Sequence, residues 1–233
     1  MATVQRTRTT PTADSTDKVV LRKQSATGHA RNGIVIGLCG PVGVGKTTLV
    51  LPLAEALGFL PLPERPEDNA FFAKGLADPS RWAFASEVRF LLAAAEAAEK
   101  ARRDRSGGVV ERPLEETLGV YVPHLQDAGG LSDDEVQTVT AIGRLGELAV
   151  GPPDVMVMLT GDATALWRRI RSRARPGEEI YDIDRVSSLL ARYESWWSGW
   201  NACPSVTVNA TVTDLRRGTN VAALADRIRD CIG

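Results

Sequence analysis

Beyond residue 32 the chain alternates short apolar runs with longer stretches whose apolar residues recur at helical spacing. The first run, Ile34-Val35-Ile36-Gly37-Leu38-Cys39, is continuous and short, as in a strand buried on both faces, and is taken as 33–39. A helix is expected over 46–57, with Pro52 inside it to kink or shorten it. Phe59-Leu60-Pro61-Leu62-Pro63 is a short, proline-marked second strand. A long alanine-rich helix is expected over 79–104, opened by Asp78 as N-cap and Pro79 at the first position, and closed by Gly107-Gly108. Val109-Val110 begins a third strand, followed by a helix near 114–120. Ser132-Asp133-Asp134-Glu135 carries a capping box and opens a helix to about 149. Asp154 to Leu159 is a fourth strand, 162–174 and 182–201 are helices, Val206-Thr207-Val208 is a fifth strand, and 221–231 is the last helix. Strands alternating with helices predict an α/β fold of three layers, with a five-stranded parallel sheet flanked by helices.

A chain of 233 residues has room for one large core, assigned to 33–233. The first 32 residues are rich in Thr, Ser and Ala, carry Arg6, Arg8, Arg22, Lys23 and Arg31, and lack apolar periodicity, so a disordered tail is expected. A transit peptide has a similar composition, but Asp14, Asp17 and the missing amphipathic pattern argue against it. The formal net charge of −1 gives no global attraction to nucleic acid. No apolar run has membrane-spanning length. Cys39, Cys203 and Cys231 are odd in number and widely spaced, which suits a reducing cytoplasm.

The candidate chemistry starts between the first strand and its helix. Gly40-Pro41-Val42-Gly43-Val44-Gly45-Lys46-Thr47, followed by Thr48, is a complete G-x-x-x-x-G-K-[ST] phosphate-binding loop in the strand–loop–helix setting that it requires. Its glycines let backbone N–H groups turn toward phosphate oxygens, and the helix N-terminus adds its positive end. Lys46 is expected on the β- and γ-phosphates and Thr47 on Mg²⁺.

Three further segments carry charge near the expected carboxyl edge of the sheet, where ligands of such folds gather. They are Glu64-Arg65 after the second strand, Glu111-Arg112-Pro113 after the third, and the run Arg168-Arg169-Ile170-Arg171-Ser172-Arg173-Ala174-Arg175 before Pro176-Gly177-Glu178-Glu179. One acid can take a proton from a hydroxyl while another holds hydrated Mg²⁺. The arginines, at about 168–180, suit a lid over phosphates, because alternate residues do not share one helix face. Glu64 is equally a candidate for a solvated loop acid, and Glu111-Arg112 for a surface ion pair.

In order and spacing these segments resemble the deoxynucleoside kinase family over 34–200. Pro63-Glu64 through Phe72, Asp78-Pro79-Ser80-Arg81-Trp82-Ala83-Phe84, Val110-Glu111-Arg112-Pro113, Pro153-Asp154 and the arginine run each resemble one of its motifs. The resemblance implies an ATP- and Mg²⁺-dependent kinase that phosphorylates the 5′-hydroxyl of a nucleoside, and a homodimer. It implies Glu64 as the base, Glu111 beside Mg²⁺, and Arg112 orienting the acceptor. Arg173 and Arg175 would hold donor phosphates. Trp82 and Phe84 would lie near the nucleobase, and Glu178 or Glu179 near the 3′-hydroxyl. Core packing is an equal alternative for the two aromatics. Three positions depart from the family pattern: Pro113 replaces a serine, Leu76 a tyrosine, and Glu87 a base-reading glutamine. Glu87 would then accept hydrogen bonds from the base, or pair with Arg65 or Arg89 and read nothing. A nucleoside monophosphate, a modified nucleoside, or a non-catalytic nucleotide switch are the alternatives.

Overall fold

The computed structural model describes residues 33–233 and the backbone of Val19 and Val20. The strands are β1 (Val19–Val20), β2 (Val35–Cys39), β3 (Leu60–Leu62), β4 (Gly108–Glu111), β5 (Val155–Thr160) and β6 (Ser205–Asn209). The helices are α1 (Lys46–Leu57), α2 (Phe72–Ala77), α3 (Pro79–Arg103), α4 (Leu114–Glu116), α5 (Val122–Asp127), α6 (Asp133–Val150), α7 (Ala163–Arg173), α8 (Ile183–Ser198) and α9 (Gly218–Ile232). The sheet runs β1-β6-β5-β2-β4-β3, and its four pairs from β3 to β6 are parallel where the chain returns through helices. The expected five-stranded parallel sheet is therefore present.

Two differences stand out. Val19 and Val20 pair antiparallel with Val206 and Ser205, adding a strand inside the segment expected to be a disordered tail. The rest of that expectation lies outside the described residues. The helix expected near 114–120 is longer: α4 passes through a π-helical turn, Thr117–Tyr121, into α5. Pro123 lies in the first turn of α5, next to the π-helical turn. α1 does not end early either: it runs through Pro52 to Leu57.

Strand alternation divides the core. Ile36 and Leu38 join Leu49, Leu53, Leu224 and Ile228 on the face covered by α1 and α9. Val35 and Cys39 point the other way, toward Ala101 of α3 and Leu189 of α8. At the amino end of the sheet Arg102 ties α3 down. Its guanidinium donates to the carbonyls of Gly33 at 3.1 Å, Val150 at 3.1 Å and Pro152 at 2.6 Å, and pairs with Asp154. Asp154 in turn accepts from the Val35 N–H at 2.8 Å.

Arg102→Ala removes a charge-assisted cluster that is mostly hidden from water. It should cost about 2–3 kcal/mol and lower the melting temperature by about 4–12 °C in a thermal scan. A shift within one degree would mean that solvent replaces these bonds.

Candidate active site

The phosphate loop leaves β2 at Gly40, whose φ of 143° places a hypothetical Cβ 2.4 Å from the Leu159 carbonyl oxygen, so only glycine fits. The loop then closes on α1 through Gly45 in the left-handed region, leaving the first N–H groups of the helix free. Lys46 is buried; its ammonium donates to the Gly40 carbonyl and lies 3.8 Å from Glu116 Oε1. Burial opposes that charge, but Glu116, with Tyr121, Glu111 and Glu64, holds it above the ordinary lysine range.

Parallel register brings the acids to the same edge. Leu38 faces Glu111 across β2 and β4, and Leu62 faces Val110 across β3 and β4. The residues that follow these positions, Gly40, Arg112 and Glu64, are therefore neighbours. Thr47 Oγ1 donates to Glu111 Oε1 at 2.7 Å, and the Glu64 N–H donates to Glu111 Oε2 at 3.1 Å. Burial pushes Glu111 up to about 7, against the opposing pull of Lys46 and the Thr47 hydrogen bond.

Arg112 sits at the centre, in a left-handed backbone conformation with φ of 54°. Its Nη1 donates to Glu64 Oε1 and its Nη2 to Glu87 Oε2, both at 2.8 Å. The guanidinium carbon lies 3.8 Å from the Phe90 ring centroid and 4.0 Å from that of Tyr121, so the two rings clasp it.

Several cavities meet here. The phosphate loop, Glu64, Glu111, Arg112, Arg173, Arg175 and Glu178 enclose about 100 Å³. Beside it, about 370 Å³ is lined by Phe72, Leu76, Glu87, Phe90, Tyr121 and Tyr181, with Arg112 common to both. On the outer side of the loop, about 450 Å³ lies between Thr48, Arg169, Thr211 and Asp214. A small charged centre between two larger cavities has room for a group passed from one molecule to another. Thr47 and Glu111 offer hard oxygen donors in the central cavity, which suits Mg²⁺ held by one or two protein groups together with phosphates.

The structure gathers Gly40, Pro41, Val42, Gly43, Gly45, Lys46, Thr47, Thr48, Glu64, Glu111, Arg112, Arg173 and Arg175 around this centre. Val44 turns its side chain into the core. Trp82 and Phe84 do not line the 370 Å³ cavity. Trp82 stacks on Phe71 with ring centroids 5.8 Å apart, and Phe84 packs with the α3–α6 cluster. Glu178 is buried at the central cavity rather than in its neighbour, accepting from Arg173 at 2.7–3.1 Å and lying 3.6 Å from Arg175. Glu179 is exposed and lines none of these cavities. Arg169 is no free lid cation: it donates to the carbonyls of Val44 at 3.2 Å and Ala210 at 2.9 Å. Glu87 does pair with an arginine, but with Arg112 instead of Arg65 or Arg89. Sequence reading missed Glu116, Tyr121, Tyr181 and Tyr193. The one available signal was Glu115-Glu116 within an otherwise apolar stretch.

Residues 36–232 match the profile of the deoxynucleoside kinase family. The chain is 30% identical over 209 residues to the deoxyadenosine/deoxycytidine kinase of Bacillus subtilis, covering 88% of this chain and 95% of that one. It is 28% identical over 189 residues to the deoxyguanosine kinase of Lactobacillus acidophilus, covering 77% and 82%. A solved deoxyadenosine kinase from M. mycoides, with dCMP and a flexible dCDP bound, superposes with a TM-score of 0.71 at 20% identity, over 84% of this chain and all of that one. That likeness is one of fold.

Lys46→Ala removes the ammonium from the loop without opening a large void. It should weaken binding of a fluorescent ATP analogue by about 10-fold or more, since charge-assisted contacts are the strong ones. Far-ultraviolet circular dichroism checks that the variant is folded. Unchanged affinity would take Lys46 out of the phosphate site.

Proposed function

The chain belongs to the deoxynucleoside kinase family, and we propose that it moves the γ-phosphoryl group of ATP, together with Mg²⁺, to the 5′-hydroxyl of a deoxynucleoside. It is a phosphotransferase acting on the hydroxyl of a nucleoside, with a nucleotide as donor. The observation that carries the finer reading is the Glu64–Arg112 pair, which sits where the phosphate cavity and its 370 Å³ neighbour join.

In this reading ATP extends from the outer cavity across the loop, and the deoxynucleoside fills the cavity between α3 and α8. Arg112 holds Glu64 by one prong, which aims the carboxylate at the 5′-hydroxyl. Glu64 takes the hydroxyl proton as that oxygen bonds to the γ-phosphorus and the bond to the bridging oxygen breaks, releasing ADP. Lys46, Arg173 and Arg175 neutralise the phosphoryl oxygens. Thr47 and Glu111 would hold the metal, which would supply positive charge against the negative charge of the donor phosphates. Glu178 parks the two lid arginines until phosphates replace it. The other readings open from the sequence, a monophosphate acceptor or a non-catalytic switch, are not favoured by the family to which the chain belongs.

Leu76 in the acceptor cavity has no hydroxyl for the sugar, and Glu87 places a carboxylate where the family pattern has an amide. Glu87 Oε2 is taken by Arg112, and among the described residues Oε1 has no hydrogen-bond partner. A free acceptor oxygen favours a base edge that presents donors, as guanine does. A homodimer fits the exposed Leu92 of α3 and Leu145 and Leu148 of the adjoining α6, an apolar face that a second copy would cover. Sedimentation velocity separates it from a monomer. Among the described residues no helix is long and apolar enough to cross a membrane, and the three cysteines are free, which supports a cytoplasmic enzyme.

ADP formation with ATP, Mg²⁺ and each of the four deoxynucleosides tests the reading. Turnover with none of them sinks it. Glu64→Gln should lower kcat about 10²–10⁴-fold with donor affinity unchanged. Glu87→Gln should shift kcat/KM by about 10-fold or more from deoxyguanosine toward deoxyadenosine or deoxycytidine, because an opposed acceptor pair is relieved. An unchanged ranking would leave Glu87 as a partner of Arg112 alone.

A further inference from the structure

Glu116 plays no part in the chemistry above, yet it is fully buried and its bonds reach three elements. Its Oε1 accepts from the Gly40 N–H at 3.1 Å and from the Tyr193 hydroxyl, and it lies 3.8 Å from the Lys46 ammonium. Its Oε2 has no partner among the described residues. Burial disfavours the charge and raises its pKa, while Lys46 and the Tyr193 hydrogen bond pull it down. A side chain kept only to fill space would not be a carboxylate with one oxygen unpaired.

The partners share a direction. Gly40 opens the phosphate loop, and Lys46 is the cation of that loop. Tyr193 lies on α8, the helix that begins at Ile183, just after the lid segment at about 168–180. One turn further along α8, Trp196 crosses Gly119 so closely that a Cβ there would stand 2.1 Å from its Nε1. Gly119 belongs to the π-helical turn that begins immediately after Glu116. A π turn is a costly irregularity, found often beside functional groups. Here it brings Gly119 against Trp196 of α8, while Tyr193 of the same helix reaches the Glu116 side chain.

We propose that Glu116 is a positioning residue through which α8 sets the phosphate loop: it fixes the first loop amide and aims the Lys46 ammonium, and the Tyr193 hydroxyl fixes it. Glu116 touches neither substrate in this arrangement and acts through Gly40 and Lys46. Because Tyr193 moves with the helix behind the lid, a shift of α8 on lid closure is felt at the loop that holds the donor. The proposal rests on the donor reading of the loop.

Glu116→Gln keeps shape and one acceptor oxygen while removing the charge and making the other oxygen an amide donor; Tyr193→Phe removes only the hydroxyl. Affinity for a fluorescent ATP analogue without acceptor, and the steady-state constants for both substrates, report the outcome. Glu116→Gln should weaken the analogue about 10-fold or more and lower kcat about 10–100-fold, leaving the deoxynucleoside KM within about two-fold. Tyr193→Phe should weaken the analogue about three-fold. The double variant should be no worse than Glu116→Gln, because both act through one oxygen. Analogue affinity within two-fold in both single variants overturns the proposal, as do additive losses or an equal rise in the deoxynucleoside KM. If Glu116→Gln does not fold, Tyr193→Phe decides alone: unchanged analogue affinity overturns it. Analogue binding is read whether or not the wild-type protein turns over any deoxynucleoside, so failure of the kinase reading is seen separately.

Discussion

A guanidinium buried among two carboxylates and two aromatic rings organises the carboxyl edge of this sheet. Arg112 would be expensive to hide alone, since removing one partner of a buried charge pair typically costs about 3–5 kcal/mol. Glu64 and Glu87 each take one prong, and Phe90 and Tyr121 cover the flat faces with their π clouds. The positive φ at Arg112 is the strain that accompanies this placement. With the guanidinium fixed, the distance between Glu64 and the loop follows from the sheet register, and the two cavities share a wall that cannot drift.

The same constraint explains why the site is asymmetric. Around the phosphate loop Lys46 rests on the Gly40 carbonyl, 3.8 Å from Glu116, and the partly exposed Arg173 pairs with Glu178. In the neighbouring cavity Arg112 is buried between Glu64 and Glu87. A phosphate group arriving with several negative charges can draw the first set away from weaker partners. An uncharged acceptor has no such leverage, so its side of the site must already be shaped.

What could be read from the chain follows the range of the interactions. The phosphate loop is a local motif of eight residues, and its strand and helix are adjacent in sequence, so loop, strand and helix were all legible. Glu64 and Glu111 were legible because strand ends gather at one edge. Trp82 and Phe84 were not, because which side of α3 meets the cavity is decided by α2 and α6 packing on its other sides. Glu87 was matched to arginines near it in sequence, while the fold supplied Arg112 from the next strand. Glu116 and Tyr193 are 77 positions apart and meet only once the sheet exists. The pairing of Val19 and Val20 had no periodic pattern to announce it, since two residues are too few to carry one.

Both margins of the sheet turn out to be blunted. An open strand margin displays N–H and C=O groups in register and invites another chain to add itself, the route to aggregates. On one margin the Val19–Val20 bridge runs against β6 and occupies part of that row. On the other, β3 is three residues long and has Pro61 in its middle, with no N–H to offer. With strand addition discouraged at both margins, the sheet leaves no long row of open backbone groups for another chain to extend, and the surfaces it offers to other molecules are helical.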